Sequence, residues 1–195
     1  RLRYATDIMI NLLPESSRKT VLVVGVGHGH DVFMPLLAGQ FQRVIGVDPF
    51  VESDGNGDRD YERLLGLIKQ YKLEDRFIVH RKMIQDYLDS SNDKVDAILA
   101  VDVLHHIFVT TDRLTESSDF KASVELFRRL HGRLNPGGKL LIKDVERWGV
   151  RPVLYRMGVL KGDVDFKTKQ AWGEWASAAK QAGFSLSERK VYVPF

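Results

Sequence analysis

The sequence predicts an α/β fold in which a doubly wound, mostly parallel sheet carries helices on both faces. Two observations lead there. Short apolar runs alternate along the chain with segments of helical periodicity, the order expected of successive βα units. The runs are mostly apolar and do not alternate regularly with polar residues, as expected of strands buried on both faces.

The runs lie at 20–24, 44–47, 76–80, 95–101 and 139–143. Helices are expected at 30–40, 58–71, 84–90 and 120–134, with a further one at 174–182, and a short one before Pro14 at the start of the chain. Pro35 kinks or delays the first crossover helix. Asn135-Pro136-Gly137-Gly138 reads as a turn that stops one helix and starts the fifth strand. Gly183 sits where a C-terminal cap is expected, and an extended segment follows from Phe184. Three stretches read as loops: 51–58, 109–119 and 146–167. The last carries Trp148 and Tyr155 and follows a strand's carboxyl end, where a substrate-covering segment is expected.

At 195 residues and 22.2 kDa the chain fits a single domain spanning 1–195. With no cysteine, disulfides, a thiolate nucleophile and a thiolate zinc site are excluded. The sequence contains neither a long apolar run nor a signal-like block near its start, so a cytoplasmic protein without a membrane span is expected. The 29 basic and 26 acidic side chains leave a net charge of only +3 and are interspersed along the chain. That pattern argues against a nucleic-acid partner and leaves a small-molecule substrate as the expectation.

The first strand runs into Val24-Gly25-Val26-Gly27-His28-Gly29-His30. Glycines are needed where a nucleotide-like ligand approaches turning backbone, and the helix that follows offers unpaired N–H groups. Asp48 ends the second strand, where its carboxylate can accept hydrogen bonds from both hydroxyls of a ribose. Bonds of this charge-assisted kind are worth about 1.5–3 kcal/mol each. A nicotinamide dinucleotide site would place its third glycine at position 30, which is His30; here that glycine comes one residue early, at Gly29.

With these residues the chain resembles the class I, Rossmann-like S-adenosylmethionine-dependent methyltransferases of small-molecule type. The likeness covers nearly the whole length. Val21 through Gly29 is similar to the family's first motif, and Asp48 to its ribose acid. Asp96-Ala97-Ile98-Leu99-Ala100-Val101-Asp102-Val103-Leu104-His105-His106-Ile107 resembles its fourth-strand motif, Leu134 through Ile142 its Leu-x-Pro-Gly-Gly lead-in to the fifth strand, and Trp175 through Phe184 its late helix ending in Ala-Gly-Phe. The resemblance implies S-adenosyl-L-methionine as cofactor, with Gly25, Val26, Gly27, His28 and Gly29 along its methionyl and ribose parts. It likewise implies Asp48 on the ribose, Pro49 and Phe50 beside the adenine, Met83 covering it, and Val101 and Asp102 bordering the sulfonium. The chain departs from the family in having Val23 and Lys82 where acidic residues are usual. The family fold ends in an antiparallel hairpin; only the segment 184–195 is visible for it, so an incomplete hairpin is expected.

Methyl transfer from a sulfonium mainly requires alignment of nucleophile, methyl and sulfur. A base is needed only where the acceptor atom is protonated at neutral pH. Asp102, His105, His106 and Asp144 all follow strand ends on the carboxyl edge and are the candidates for that role. Metal ligation is disfavoured for His28, His30 and the His105-His106 pair, because adjacent helical histidines diverge and the loop space belongs to the cofactor. The expected function is thus methyl transfer to a small-molecule or lipid-like acceptor. The alternatives are an RNA or protein methyltransferase and a non-catalytic cofactor-binding homologue.

Overall fold

The computed structural model describes residues 10–15, 18–27, 39–51, 57–110, 112–144, 157 and 169–186. Their elements in chain order are β1 (Thr20–Val24), β2 (Arg43–Asp48), α1 (Gly57–Gln70), β3 (Phe77–Arg81), α2 (Ile84–Ser90), β4 (Val95–Val101), α3 (Leu104–Ile107), α4 (Asp119–Arg133), β5 (Leu134–Lys143) and α5 (Trp172–Gln181). A 3-10 turn, Leu114–Glu116, precedes α4. The chain forms two compact units, one of Arg1–Val101 with Arg133–Ile142 and one of Asp102–Gly132 with Lys143–Phe195.

The first unit holds the sheet, in the order β3-β2-β1-β4-β5. The chain winds outward from β1 through β2 to β3, then returns to the other side of β1 for β4. That reversal is the topological switch point at which open α/β sheets bind ligands. The pairs β1–β2, β1–β4 and β2–β3 are parallel, and Val24 lies level with both Val47 and Ala100. Both faces of the central strands are buried. Val21 and Val23 pack with Leu64 and Ile68 of α1, while Leu22, Ile45 and Ile98 on the opposite face are no more than 1% exposed. In α1 the buried Leu64, Leu67 and Ile68 recur at helical spacing, and Asp58 and Asp60 lie in the first turn, where they complement the helix dipole.

One carboxylate ties three strands together. Asp96 of β4 accepts the Thr20 backbone N–H at the start of β1 (2.8 Å) and the Asn135 amide at the start of β5 (2.9 Å). This corrects the expected turn at Asn135-Pro136-Gly137-Gly138. Those residues already belong to β5, which follows α4 without an intervening loop.

The second unit contains α3, the 3-10 turn, α4 and α5. α4 buries Ser123, Val124, Leu126, Phe127 and Leu130 along one stripe. α5 ends as its sequence anticipates: Gly183 takes a positive φ of 102°, and the Phe184 N–H reaches back to the Ala179 carbonyl (3.0 Å). The cap turns Phe184 edge-on to His131, with ring centroids 4.7 Å apart. Residues 184–186 are in no strand, and 187–195 lie outside the described residues. Outside them too are most of the expected helix 30–40, the start of the N-terminal helix, and the segment 146–167 apart from Met157. Among the described residues no helix is long and apolar enough to cross a membrane.

Candidate active site

In the first unit the level ends of β1 and β2 bring the glycine loop against Asp48. The Gly25 N–H bonds the Val47 carbonyl (2.9 Å), which extends the strand pairing into the loop. Asp48 then holds both turns: Oδ2 accepts the Gly27 N–H at 2.9 Å, and Oδ1 accepts the Phe50 N–H at 2.7 Å. A carboxylate oxygen has two lone pairs, so each oxygen retains capacity for one hydroxyl donor. Gly27 has φ +55°, and a Cβ built on it would meet nothing within 4 Å among the described residues. Open space in front of left-handed backbone, beside a half-buried carboxylate, fits a ribose. Val26 differs from its neighbours: its side chain is 5% exposed and belongs to the core, so only its backbone can face a ligand. His28 and Gly29 lie outside the described residues.

Phe50 follows with a positive φ of 52° and a buried ring set edge-on to Tyr61, centroids 5.0 Å apart. Arg81, level with Asp48 across the sheet, pairs with Asp58 and lies 5.3 Å over the Tyr61 ring. Pro49 is half-buried, whereas Met83, at the start of α2, is exposed. Lys82 bonds the Ser90 hydroxyl (3.3 Å). Gly57 is a contributor that sequence reasoning passed over: it begins α1 directly against the Phe50 carbonyl. Val101 ends β4 half-buried, packed against the core.

The second unit opens at Asp102, whose φ of +51° is unusual for a residue with a side chain. Its N–H donates to the Lys143 carbonyl (2.7 Å), and its Oδ2 pairs with the Lys143 ammonium. Oδ1 is buried and has no partner among the described residues. Three residues after Asp102, His105 is bound twice by Asp144, through the ring Nδ1 at 2.5 Å and the backbone N–H at 3.3 Å. Both side chains are buried, at 6% and 5% exposure. His106 is exposed and stacks on His105 with centroids 4.1 Å apart. Its pKa is lowered first by partial desolvation among the neighbouring groups, then by His105 and Lys169. Of the four expected acid–base candidates, the fold therefore joins His105 to Asp144 and Asp102 to Lys143, and sets His106 on His105. Lys143 was missed because a lysine at a strand end carries no signal of its own.

Residues 1–189 match a family profile described as a methyltransferase domain. No curated protein matches the chain in sequence. Solved structures share its fold. The S-adenosylmethionine-dependent methyltransferase SibL in its apo form is 20% identical at a TM-score of 0.66, over 99% of this chain and 52% of that one. The mitomycin 7-O-methyltransferase MmcR is 18% identical at 0.58, over 91% and 47%. The N-methyltransferase NodS from Bradyrhizobium japonicum is 16% identical at 0.58, over 92% and 80%. The chain thus spans about half the length of the first two. The profile match over nearly the full length, on this sheet order and with this loop–carboxylate arrangement, makes the chain a member of the class I, S-adenosylmethionine-dependent methyltransferase domain family.

Proposed function

We propose that this chain, acting as one domain, transfers a methyl group by in-line displacement to a small-molecule or lipid-like acceptor whose reacting atom bears a proton at neutral pH. The observation that carries the proposal is the buried pair His105–Asp144, 2.5 Å apart. With Nδ1–H donated to Asp144, the tautomer of His105 is set and Nε2 keeps its lone pair, the state in which an imidazole takes up a proton. Asp144 also stabilises the imidazolium that results. Its second bond, from the His105 backbone N–H, keeps the ring from swinging away. His106 beside it is made less basic by partial desolvation and by His105 and Lys169.

S-adenosylmethionine, when bound, supplies an electrophilic methyl on a sulfonium. Toward it, Asp48 takes the ribose hydroxyls, while Gly25, Gly27 and the backbone of Val26 line the loop with His28 and Gly29. Pro49, Phe50 and Met83 serve the adenine side. Val101 and Asp102 take the sulfonium end, Asp102 being fixed by Lys143.

Calorimetric titration with S-adenosylhomocysteine tests the cofactor half. Wild type is expected to bind, Asp48→Ala to bind at least about 100-fold more weakly, since two charge-assisted bonds go, and NAD not to bind. A folded chain that ignores S-adenosylhomocysteine sinks the proposal. The acceptor half is tested by screening phenols, alcohols and amines with radiolabelled methyl donor. Transfer should fall at least about 100-fold in His105→Asn, the low end for a lost general base, with S-adenosylhomocysteine binding kept.

A further inference from the structure

Two buried polar side chains of the second unit have no part in the chemistry above. Gln170, just before α5, is 2% exposed, and Glu174, in its first turn, is 5% exposed. Gln170 Oε1 accepts the Leu114 N–H (3.0 Å), and its Nε2 donates to the carbonyls of Thr110 (3.2 Å) and Asp112 (3.0 Å). Glu174 Oε2 accepts the Thr115 N–H (2.8 Å), and Oε1 accepts two guanidinium N–H groups of Arg113 (3.1 and 3.0 Å). All four side-chain polar atoms of the pair are used. Buried polar groups are costly unless bonded in this way, and apolar residues would fill the same space without the requirement. What the pair adds is a defined main-chain path for 110–115.

That path leads to the proton acceptor. α3 has four residues, too few to hold a helix alone. It is closed by the Phe108 N–H on the Leu104 carbonyl (3.0 Å). The Phe108 ring packs on Trp175, the neighbour of Glu174, with centroids 6.1 Å apart and both side chains buried. Lys169, the neighbour of Gln170, is close enough to depress the basicity of His106. Residues 170–175 thus bond and pack along 108–115, the stretch that leaves α3, while Asp144 holds His105 within α3.

We infer that Gln170 and Glu174 are positioning residues: by setting the backbone of 110–115, and through Phe108 the end of α3, they keep the His105 ring in its bond with Asp144. Its meaning for catalysis rests on His105 being the proton acceptor, as proposed above; the coupling itself is tested without an acceptor.

The test uses the whole chain, nitrogen-15 labelled. Nuclear magnetic resonance reads the His105 Nδ1 shift, which separates a bonded N–H from a bare nitrogen, and amide exchange at Leu114 and Thr115. In Gln170→Ala, exchange at both amides should quicken about tenfold or more, and the His105 Nδ1 signal should move toward that of a free imidazole. Glu174→Gln keeps an oxygen for Thr115 but loses the ion pair, and should move the same signals less. Gln170→Glu keeps the acceptor for Leu114 while setting a carboxylate against two carbonyls. It decides the matter should Gln170→Ala fail to fold, because it must disturb His105 too. Faster exchange at 114 and 115 with an unchanged His105 signal overturns the inference and leaves a local staple. A wild-type Nδ1 without a bonded proton overturns it as well. S-adenosylhomocysteine titrations on the same samples keep the readings apart, since loss of cofactor binding in wild type condemns the proposed function and not the coupling.

Discussion

Adding one methyl group at Gly57 separates two opposed effects. Helix propensity favours alanine over glycine by up to about 1 kcal/mol, so replacing the first residue of α1 should be harmless or helpful. The structure says otherwise. An ideal Cβ on Gly57 would stand 1.6 Å from the Phe50 carbonyl oxygen and 2.6 Å from its carbon. Carbon and oxygen approach to about 3.3 Å at their closest comfortable contact, so roughly 1.7 Å of backbone displacement is required. The Phe50 N–H is held by Asp48 at 2.7 Å, and a shift of that size breaks the bond. Overpacking of this kind costs about 1–3 kcal/mol, and the lost bond to a carboxylate brings the sum to about 2.5–6 kcal/mol. In a chain of this length that lowers the melting temperature by about 2–4 °C per kcal/mol. Gly66, nine residues along the same helix, is the control: it is exposed and a Cβ there meets nothing within 4 Å. Gly66→Ala should stabilise by about 0.5–1 kcal/mol. Urea denaturation of both variants gives the signs, and S-adenosylhomocysteine affinity should fall only in Gly57→Ala. Equal stability of Gly57→Ala and wild type, with unchanged affinity, would refute the close approach and its link to Asp48.

Asp96→Ala removes both strand-bridging bonds and should cost about 1–3 kcal/mol in urea denaturation; a loss under about 0.5 kcal/mol would show that the strands register without it. Burial alone would raise the Glu174 carboxyl, but bonds from Thr115 and Arg113 outweigh it and hold the pKa below the usual range. A depressed folded value gives stability that is present above the ordinary carboxylate range, near pH 4.3, and lost as pH falls toward the folded value. Acid titration of the melting temperature should therefore drop less steeply below pH 4.3 in Glu174→Gln than in wild type, and parallel curves would remove Glu174 from the account.

The elements most legible in the sequence are those whose patterning is local. Residues 95–101 and 84–90 emerge with the expected bounds because a mostly apolar run and a short amphipathic turn declare themselves. β5 begins five residues earlier than expected because the Asn135 amide is drawn to Asp96, a partner 39 positions away that overrides the local turn chemistry of Pro136 and Gly137. α3 is hidden for a related reason, since four residues make no periodicity and the helix exists through its neighbours. The glycine loop and Asp48 were legible as a pair because nucleotide geometry sets their spacing. The bond between His105 and Asp144 was not, although both were singled out, because nothing local announces a partner 39 residues on. Gln170 and Glu174 were invisible outright: each reads main chain some 56 to 60 residues earlier.

The carboxylate of Asp96 also bears on how long the sheet lasts once formed. Its bond to Thr20 closes a span of 76 residues, and contacts so distant in sequence are reached late, after the entropy of closing the intervening chain has been met. Interactions absent from the transition state act on the unfolding rate and leave the folding rate nearly alone. Asp96 is thus a latch more than a nucleus: without it the chain would assemble at much the same speed and come apart sooner, and the lifetime of the native sheet would shorten.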